Sequence, residues 1–269
     1  PPSAGGGLVG AGLRIAAGLG LGQETFLGRE HQLAMAALLA TVSDLRQSGY
    51  DERLRSDPAS IRDLVAGDGI PTWVARARSR RHENALGATT HISVIDAQGM
   101  AAAMTTSNGE GCGEALPGLG IHVNNFLGED DINPGGFHQL VPGSWMSTMM
   151  SPTIVVAGER PCFALGSGGS NRIRSAILQA LLNLLAYQRP LDDAVNAARL
   201  HVEGPQLWFE DFGVDADAVA ALRAAWPDAM CFDAPSLFFG GVNCAASLDG
   251  QLAGAGDRRR GGVVVVAED

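Results

Sequence analysis

The chain has 269 residues, enough for one large domain or two small ones with a sizeable core. Hydrophobic residues make up 46% and charged residues 18%, which excludes wholesale disorder, and the 36 glycines follow no triplet period, which excludes a collagen-like rod. A formal net charge of −10 and a pI near 5.0 argue against a general nucleic-acid binder, because neutralising phosphates needs a basic face.

The chain opens on an apolar, glycine-rich stretch without a charged leader, so it is not read as a signal peptide. Over 30–47 the residues Leu33, Met35, Ala36, Leu38, Leu39, Val42 and Leu45 mark one face at helical spacing. After the break at Asp57-Pro58, short helices are expected over 60–66 and 71–78. Residues 76–84 are charged and aperiodic and read as an exposed linker. Beyond it the period changes. Residues 90–96 alternate apolar and polar, 97–99 form a turn, and 100–107 return as the paired strand. A second strand pair is expected over 153–157 and 162–165. A strong helix over 173–187 would turn Ile173, Ile177, Leu178, Leu181, Leu182 and Leu185 inward, with another helix over 191–200. Strands are expected at 206–210, 242–248 and 263–266, with a helix over 216–226. Hairpins, then helices, then further strands predict a layered α+β architecture, sheet packed on sheet with helices outside.

Four cysteines, Cys112, Cys162, Cys231 and Cys244, stand far apart with no C-x-x-C pair, so they read as buried small hydrophobes. No apolar run reaches the ~18 residues of a membrane span.

Four stretches carry possible chemistry. In Gly87-Ala88-Thr89-Thr90-His91 small residues precede two threonines at a strand start. A Thr hydroxyl is a weak nucleophile and needs a base. A cut between Ala88 and Thr89 would supply one, the new α-amine, whose pKa is about 7.7–8.0. A β-branched pair also simply suits a strand start, and on the dipeptide alone that plainer reading is the favoured one. Gly166-Ser167-Gly168-Gly169-Ser170-Asn171-Arg172 joins a strand to a helix and could form an oxyanion hole, or be a plain tight turn. It has neither the phosphate-loop nor the dinucleotide spacing. Asn124-Asn125-Phe126-Leu127-Gly128-Glu129-Asp130-Asp131 could hold an ammonium group or be a solvated acidic turn. Residues 144–152 are hydroxyl-rich and lead into a strand.

Taken in order, the motifs become specific: P-P-S-x-G-G, T-T-H-x-S-V-x-D-x-x-G, N-N before an acidic loop, M-S-P-T-I-V, G-S-G-G-S-N-R-I, A-A-R-x-H and G-x-x-D-x-R-R. This set, covering nearly the whole chain, resembles the γ-glutamyltranspeptidase family. The resemblance implies a four-layer αββα N-terminal-nucleophile hydrolase whose precursor cuts itself before a Thr, here between Ala88 and Thr89. Residues 1–88 would be the end of the large subunit and 89–269 the small subunit. The remainder of the large subunit, including the Arg that binds the substrate α-carboxylate, would be a partner.

On this resemblance Thr89 is the nucleophile, Thr105 or Ser107 orients it, and the Gly168 and Gly169 N–H groups hold the oxyanion. Asn108, Glu129, Asp130, Thr148 and Ser170 would grip the amino-acid end of a γ-glutamyl amide such as glutathione, with water or an amino acid as acceptor. No metal or organic cofactor is implied. His91 reads as structural, and Arg172 as a brace for the helix start. The sequence departs from the family pattern at the acidic loop, where the ammonium-binding Asp falls at Glu129 with Asp130 as alternative. It also departs at the serine pair, which falls at Thr148 and Met149, and at the head-binding Asn, which falls at Gly109 with Asn108 one place early. The altered pocket leaves open a cephalosporin-acylase-like amidohydrolase, or an uncleaved homologue without activity.

Overall fold

The computed structural model describes residues 4–57, 59, 61–62, 70–77, 89–133 and 135–267. Among the described residues before Thr89 the regular structure is helical: α1 (Ala4–Leu19), α2 (Arg29–Leu45), α3 (Asp51–Ser56) and α4 (Ile70–Ala77). In α2 the apolar stripe Met35, Leu38, Leu39, Val42 and Leu45 is buried, as its spacing predicts. The helix runs on into a kinked turn at 46–50, where Gly49 takes φ +84°. Most of the helix expected over 60–66, and the linker beyond Ala77, lie outside the described residues.

β1 (Thr90–Ile95) and β2 (Ala101–Thr106) form the expected hairpin, in register from Thr90 opposite Thr106 to Ile95 opposite Ala101. Asp96 closes its turn by accepting the N–H groups of Gln98 at 3.0 Å and Met100 at 2.8 Å through one carboxylate oxygen. β3 (Ala115–Leu116) and β4 (Ile121–His122) are a short exposed ribbon. β5 (Thr153–Ala157) and β6 (Arg160–Gly168) pair with β10 (Gly241–Leu248) and β11 (Gln251–Gly256) in an antiparallel sheet of order β11-β10-β6-β5. Between β6 and β10 the chain forms α5 (Arg172–Leu185), α6 (Leu191–Asn196), β7 (Leu200–Glu203), β8 (Gln206–Glu210), α7 (Ala216–Ala225) and β9 (Met230–Phe232). The strands β7, β8 and β9 make a separate three-stranded sheet.

α5 lies on β6 and β10, and α1 packs on α2 and α5, so helices cover one face of the four-stranded sheet. The β1–β2 hairpin covers the other face, where it meets β6 and β10. The order helix, sheet, sheet is the αββ part of the expected sandwich. Thirteen of the fourteen residues of α5 are buried, which makes it the central helix of the core. The outer face of β1–β2, with Ile92 and Val94 about half exposed, carries no helix among the described residues.

Four expectations need correction. The helix over 191–200 stops at Asn196. Ala197 turns to an extended backbone, Arg199 is drawn inward to Asp257, and Leu200 opens β7 against β8. Leu185 is 47% exposed rather than inward, because it stands on the last turn of α5, past the covering helices. The valines at 263–266 pair in no ladder among the described residues, and the strand beside β10 is instead the small-residue segment Gln251–Gly256. Cys112 is exposed and only Cys244 is fully buried, with Cys162 and Cys231 between, so burial of all four does not hold.

Candidate active site

Thr89 stands one residue ahead of β1, half-buried, at the edge where the two sheets meet. The hairpin register puts Ser107 opposite Thr89, and the Thr89 hydroxyl donates to Ser107 Oγ at 3.2 Å. Ser107 Oγ also accepts the Gly109 N–H at 3.0 Å, which ties the hydroxyl pair to the following loop. Thr105 lies two residues further along and faces His91 instead, with Oγ1 2.7 Å from Nδ1. The His91 ring is buried on Gly166, its Nε2 2.8 Å from Ser93 Oγ, and burial pulls its pKa down to about 4. Both ring nitrogens are engaged away from Thr89, so His91 is a structural residue of the sheet-to-sheet contact.

The glycine-rich run continues β6 to its end. A Cβ built on Gly168 would fall 1.9 Å from the Thr89 carbonyl oxygen, so only glycine lets β6 approach the start of β1 this closely. Gly169 takes φ +127° and packs against Gly240, and its carbonyl accepts the Arg172 N–H at 3.0 Å, opening α5. Ser170 takes φ +52°, a left-handed backbone on a residue with a side chain, at the turn between β6 and α5. Its hydroxyl donates to the Asp131 carboxylate. Arg172 braces the helix start by donating to the Phe238 carbonyl at 3.1 Å and lying over the Phe238 ring.

Of the three acidic-loop carboxylates, Asp130 is exposed, Glu129 is half-buried and Asp131 is buried. Glu129 packs onto Gly109, where a Cβ would meet its Oε1 at 2.2 Å, and that oxygen has no hydrogen-bond partner among the described residues. Burial, then the Asp131 and Glu110 charges, raise the Glu129 pKa to about 7. Asn108 is exposed and spends its side-chain amide on the His122 carbonyl at 3.1 Å. Thr148 accepts the Met150 N–H at 3.1 Å, and its carbonyl accepts the Gly5 N–H at 3.2 Å, which fastens α1 to this loop. Ala88 lies outside the described residues.

The structure thus gathers Thr89, Ser107, Gly168 and Ser170, with Glu129 close to the loop behind Ser107. Asp131 was not singled out from the sequence, since three adjacent acids give no signal of which one turns inward. Its burial and its Ser170 contact distinguish it.

The site is thus a threonine-led strand start pressed against a glycine-rich strand end, inside stacked sheets with helices. The sequence profile described as Gamma-glutamyltranspeptidase matches residues 23–267. The chain belongs to the γ-glutamyltranspeptidase family. It is 33% identical over 207 residues to the Acylase ACY 1 proenzyme of Pseudomonas sp. (strain V22), covering 76% of this chain and 36% of that protein. It is 31% identical over 139 residues to the Glutathione hydrolase proenzyme of Bacillus subtilis (strain 168), covering 51% of this chain and 24% of that protein. Among solved structures, Gamma-glutamyltranspeptidase from Pseudomonas nitroreducens complexed with L-DON superposes with a TM-score of 0.57 at 26% identity, over 66% of this chain and 100% of that one. The chain spans about a third or less of the curated relatives' lengths.

Two γ-glutamyltranspeptidase motifs without an assigned role meet in the structure. Arg199 of A-A-R-x-H pairs with Asp257 of G-x-x-D-x-R-R at 2.6 Å, and Arg259 reaches Asp257 at 3.3 Å and Glu210 at 2.5 Å, all buried. Asp257 also accepts the Val242 N–H at 2.9 Å, and Arg199 donates to the Phe239 carbonyl at 3.1 Å. This ionic cluster holds 239–242, against which Gly168 and Gly169 pack. A buried pair of this kind is costly to break once formed, about 3–5 kcal/mol on removing one partner.

Proposed function

We propose that the chain carries the catalytic core of an N-terminal threonine amidohydrolase or acyltransferase acting on γ-glutamyl amides such as glutathione. The observation that carries this reading is the Thr89 hydroxyl, 3.2 Å from Ser107 Oγ, with the Gly168 backbone against the Thr89 carbonyl. The chain would be cut between Ala88 and Thr89, leaving 1–88 as the end of a large subunit and 89–269 as the small subunit. The remainder of a large subunit would be its partner.

In the cut form, Thr89 Oγ attacks the amide carbonyl. Its proton passes to the Thr89 α-amine and on to the leaving amine, so the acyl group is held as an ester on Thr89. Ser107 orients the hydroxyl. Gly168 and Gly169 N–H groups would stabilise the oxyanion, at about 2.7–4 kcal/mol per donor. Water or an amino acid then takes the acyl group and returns the proton. Glu129 or Asp130, with Asn108, Thr148 and Ser170, would hold the amino-acid end, and the Glu129 position against Gly109 supports that acid over the exposed Asp130.

A second reading, side-chain amide cleavage of an acyl-lactam, is favoured by the similarity to the acylase proenzyme and by Gly109 standing where the family's head-binding Asn falls. Mass spectrometry of the purified chain tests the shared mechanism: two pieces meeting between Ala88 and Thr89 are expected, and one intact piece in both wild type and Thr89→Ala ends it. Turnover of γ-glutamyl against acyl-lactam amides decides between the substrates.

A further inference from the structure

Arg46 belongs to the helical part ahead of Thr89, in the kinked turn after α2, and its side chain is buried, 7% exposed. Its guanidinium reaches three groups. Nε donates to Asp51 Oδ2 at 2.9 Å, Nη1 donates to Asn171 Oδ1 at 2.7 Å, and Nη2 donates to the Asp131 backbone carbonyl. Asn171 follows Ser170, and Ser170 holds the Asp131 carboxylate. The guanidinium and the Ser170–Asp131 bond therefore close a ring that joins the acidic loop to the glycine-rich loop. Asp51, itself buried, meets Nε on the side of the guanidinium away from the two loop bonds, which run from Nη1 and Nη2. A planar fork with several donors can address two loops at once, which a single ammonium cannot.

We propose that Arg46 is a positioning residue that holds the glycine-rich loop at its working distance from Thr89 by clamping Asn171 and Asp131 together. The inference rests on the reading of Thr89 as nucleophile. A cut before Thr89 would place Arg46 on one piece and both loops on the other. The helical piece therefore remains part of the working site after the cut. Ser170, strained at φ +52° between the two clamped points, has its backbone fixed by this ring.

The test uses the full chain with four variants, Arg46→Ala, Arg46→Lys, Asp51→Asn and Thr89→Ala, read by cleavage half-time, by turnover and by melting temperature. Arg46→Ala should slow cleavage and kcat by about 100-fold and Arg46→Lys by at least tenfold, the scale of a ~1 Å misplacement. Guanidinium chloride at a non-denaturing concentration should restore part of the Arg46→Ala rate, and methylammonium should not. Asp51→Asn leaves both loop bonds in place, so it should lower the melting temperature while cleavage stays near wild type. A wild-type rate in Arg46→Lys overturns the proposal. So does a rate loss that merely follows melting temperature across all variants, Asp51→Asn included. If the wild-type chain is itself uncut, like Thr89→Ala, the nucleophile reading fails, and amide exchange at 131–133 and 170–172 judges the clamp. Joint loss of protection in Arg46→Ala, reversed by guanidinium, supports it, and unchanged protection overturns it.

Discussion

At Thr89 the decisive relation is one hydroxyl facing another across a hairpin, Thr89 to Ser107. Thr89→Ser keeps a hydroxyl and the amine a cut would expose, so it should retain measurable cleavage where Thr89→Ala has none, read as the ratio of cut to intact mass. Glu129 yields a second test. Its carboxyl holds a proton up to about pH 7, because burial and the Asp131 and Glu110 charges oppose ionisation. An acid that binds a substrate ammonium must be ionised, so KM for a γ-glutamyl substrate should fall as pH rises through about 7. Glu129→Gln should raise KM about 10–100-fold at pH 8, the effect of a charged hydrogen bond of 1.5–3 kcal/mol, and flatten that pH dependence. A KM that stays at the wild-type value in Glu129→Gln removes the residue from the site. His91 shows the limit of reading a residue in sequence. Its spacing from Thr89 places it on the same face of β1, yet its ring is taken up by Ser93 and Thr105.

Between elements, the site depends on how closely β6 approaches β1. Gly166 faces the His91 ring and Gly168 faces the Thr89 carbonyl, so two glycines at alternate positions let the sheets touch. Gly168→Ala would put a methyl group into backbone, which cannot swing aside. The variant should lose about 1–3 kcal/mol of stability as an overpacked contact and also lose cleavage. Gly158→Ala is the control: it has φ +63° in an exposed turn with open space around it, so it should cost only about 1 kcal/mol and leave cleavage intact. Equal effects of the two on cleavage, followed by mass spectrometry beside thermal melts, would remove the close approach from the argument. The glycines were legible in the sequence as a strand-to-helix junction. Their partner was not, because some eighty residues separate Gly168 from Thr89 and nothing local encodes that contact.

For the whole molecule, buried histidines set the response to acid. Burial lowers the pKa of His31, His91 and His201 to about 4 each. In the unfolded chain these rings take protons near pH 6.5, so between about 6.5 and 4 the unfolded state binds protons that the folded state refuses, and stability is lost as pH falls. Glu129 acts in the opposite sense, since its folded pKa is above its unfolded one and its contribution to stability grows as pH falls from about 7 to 4.5. Three groups oppose one, and that one is only part-buried. The denaturation midpoint should therefore drop between pH 6.5 and 4.5, and a flat or rising midpoint across that window contradicts the burial argument.

Periodicity and residue type were sufficient for many of the local elements. The stripe of α2, the Asp96 turn between β1 and β2, and the apolar face of α5 follow from nearest-neighbour chemistry, and the ordered motifs pointed to Thr89 at the strand start. What sequence could not decide was which groups meet across the fold. The four valines at 263–266 have the strongest β propensity near the chain end, yet the ladder beside β10 is built from Gln251–Gly256. Arg46 carries no local sign of its contacts 85 and 125 residues away. Asp131 is indistinguishable by type from the acids before it until Ser170 meets it. Such choices depend on which backbone and side-chain polar groups are left to be satisfied once the sheets and helices have packed, and that condition exists only in three dimensions.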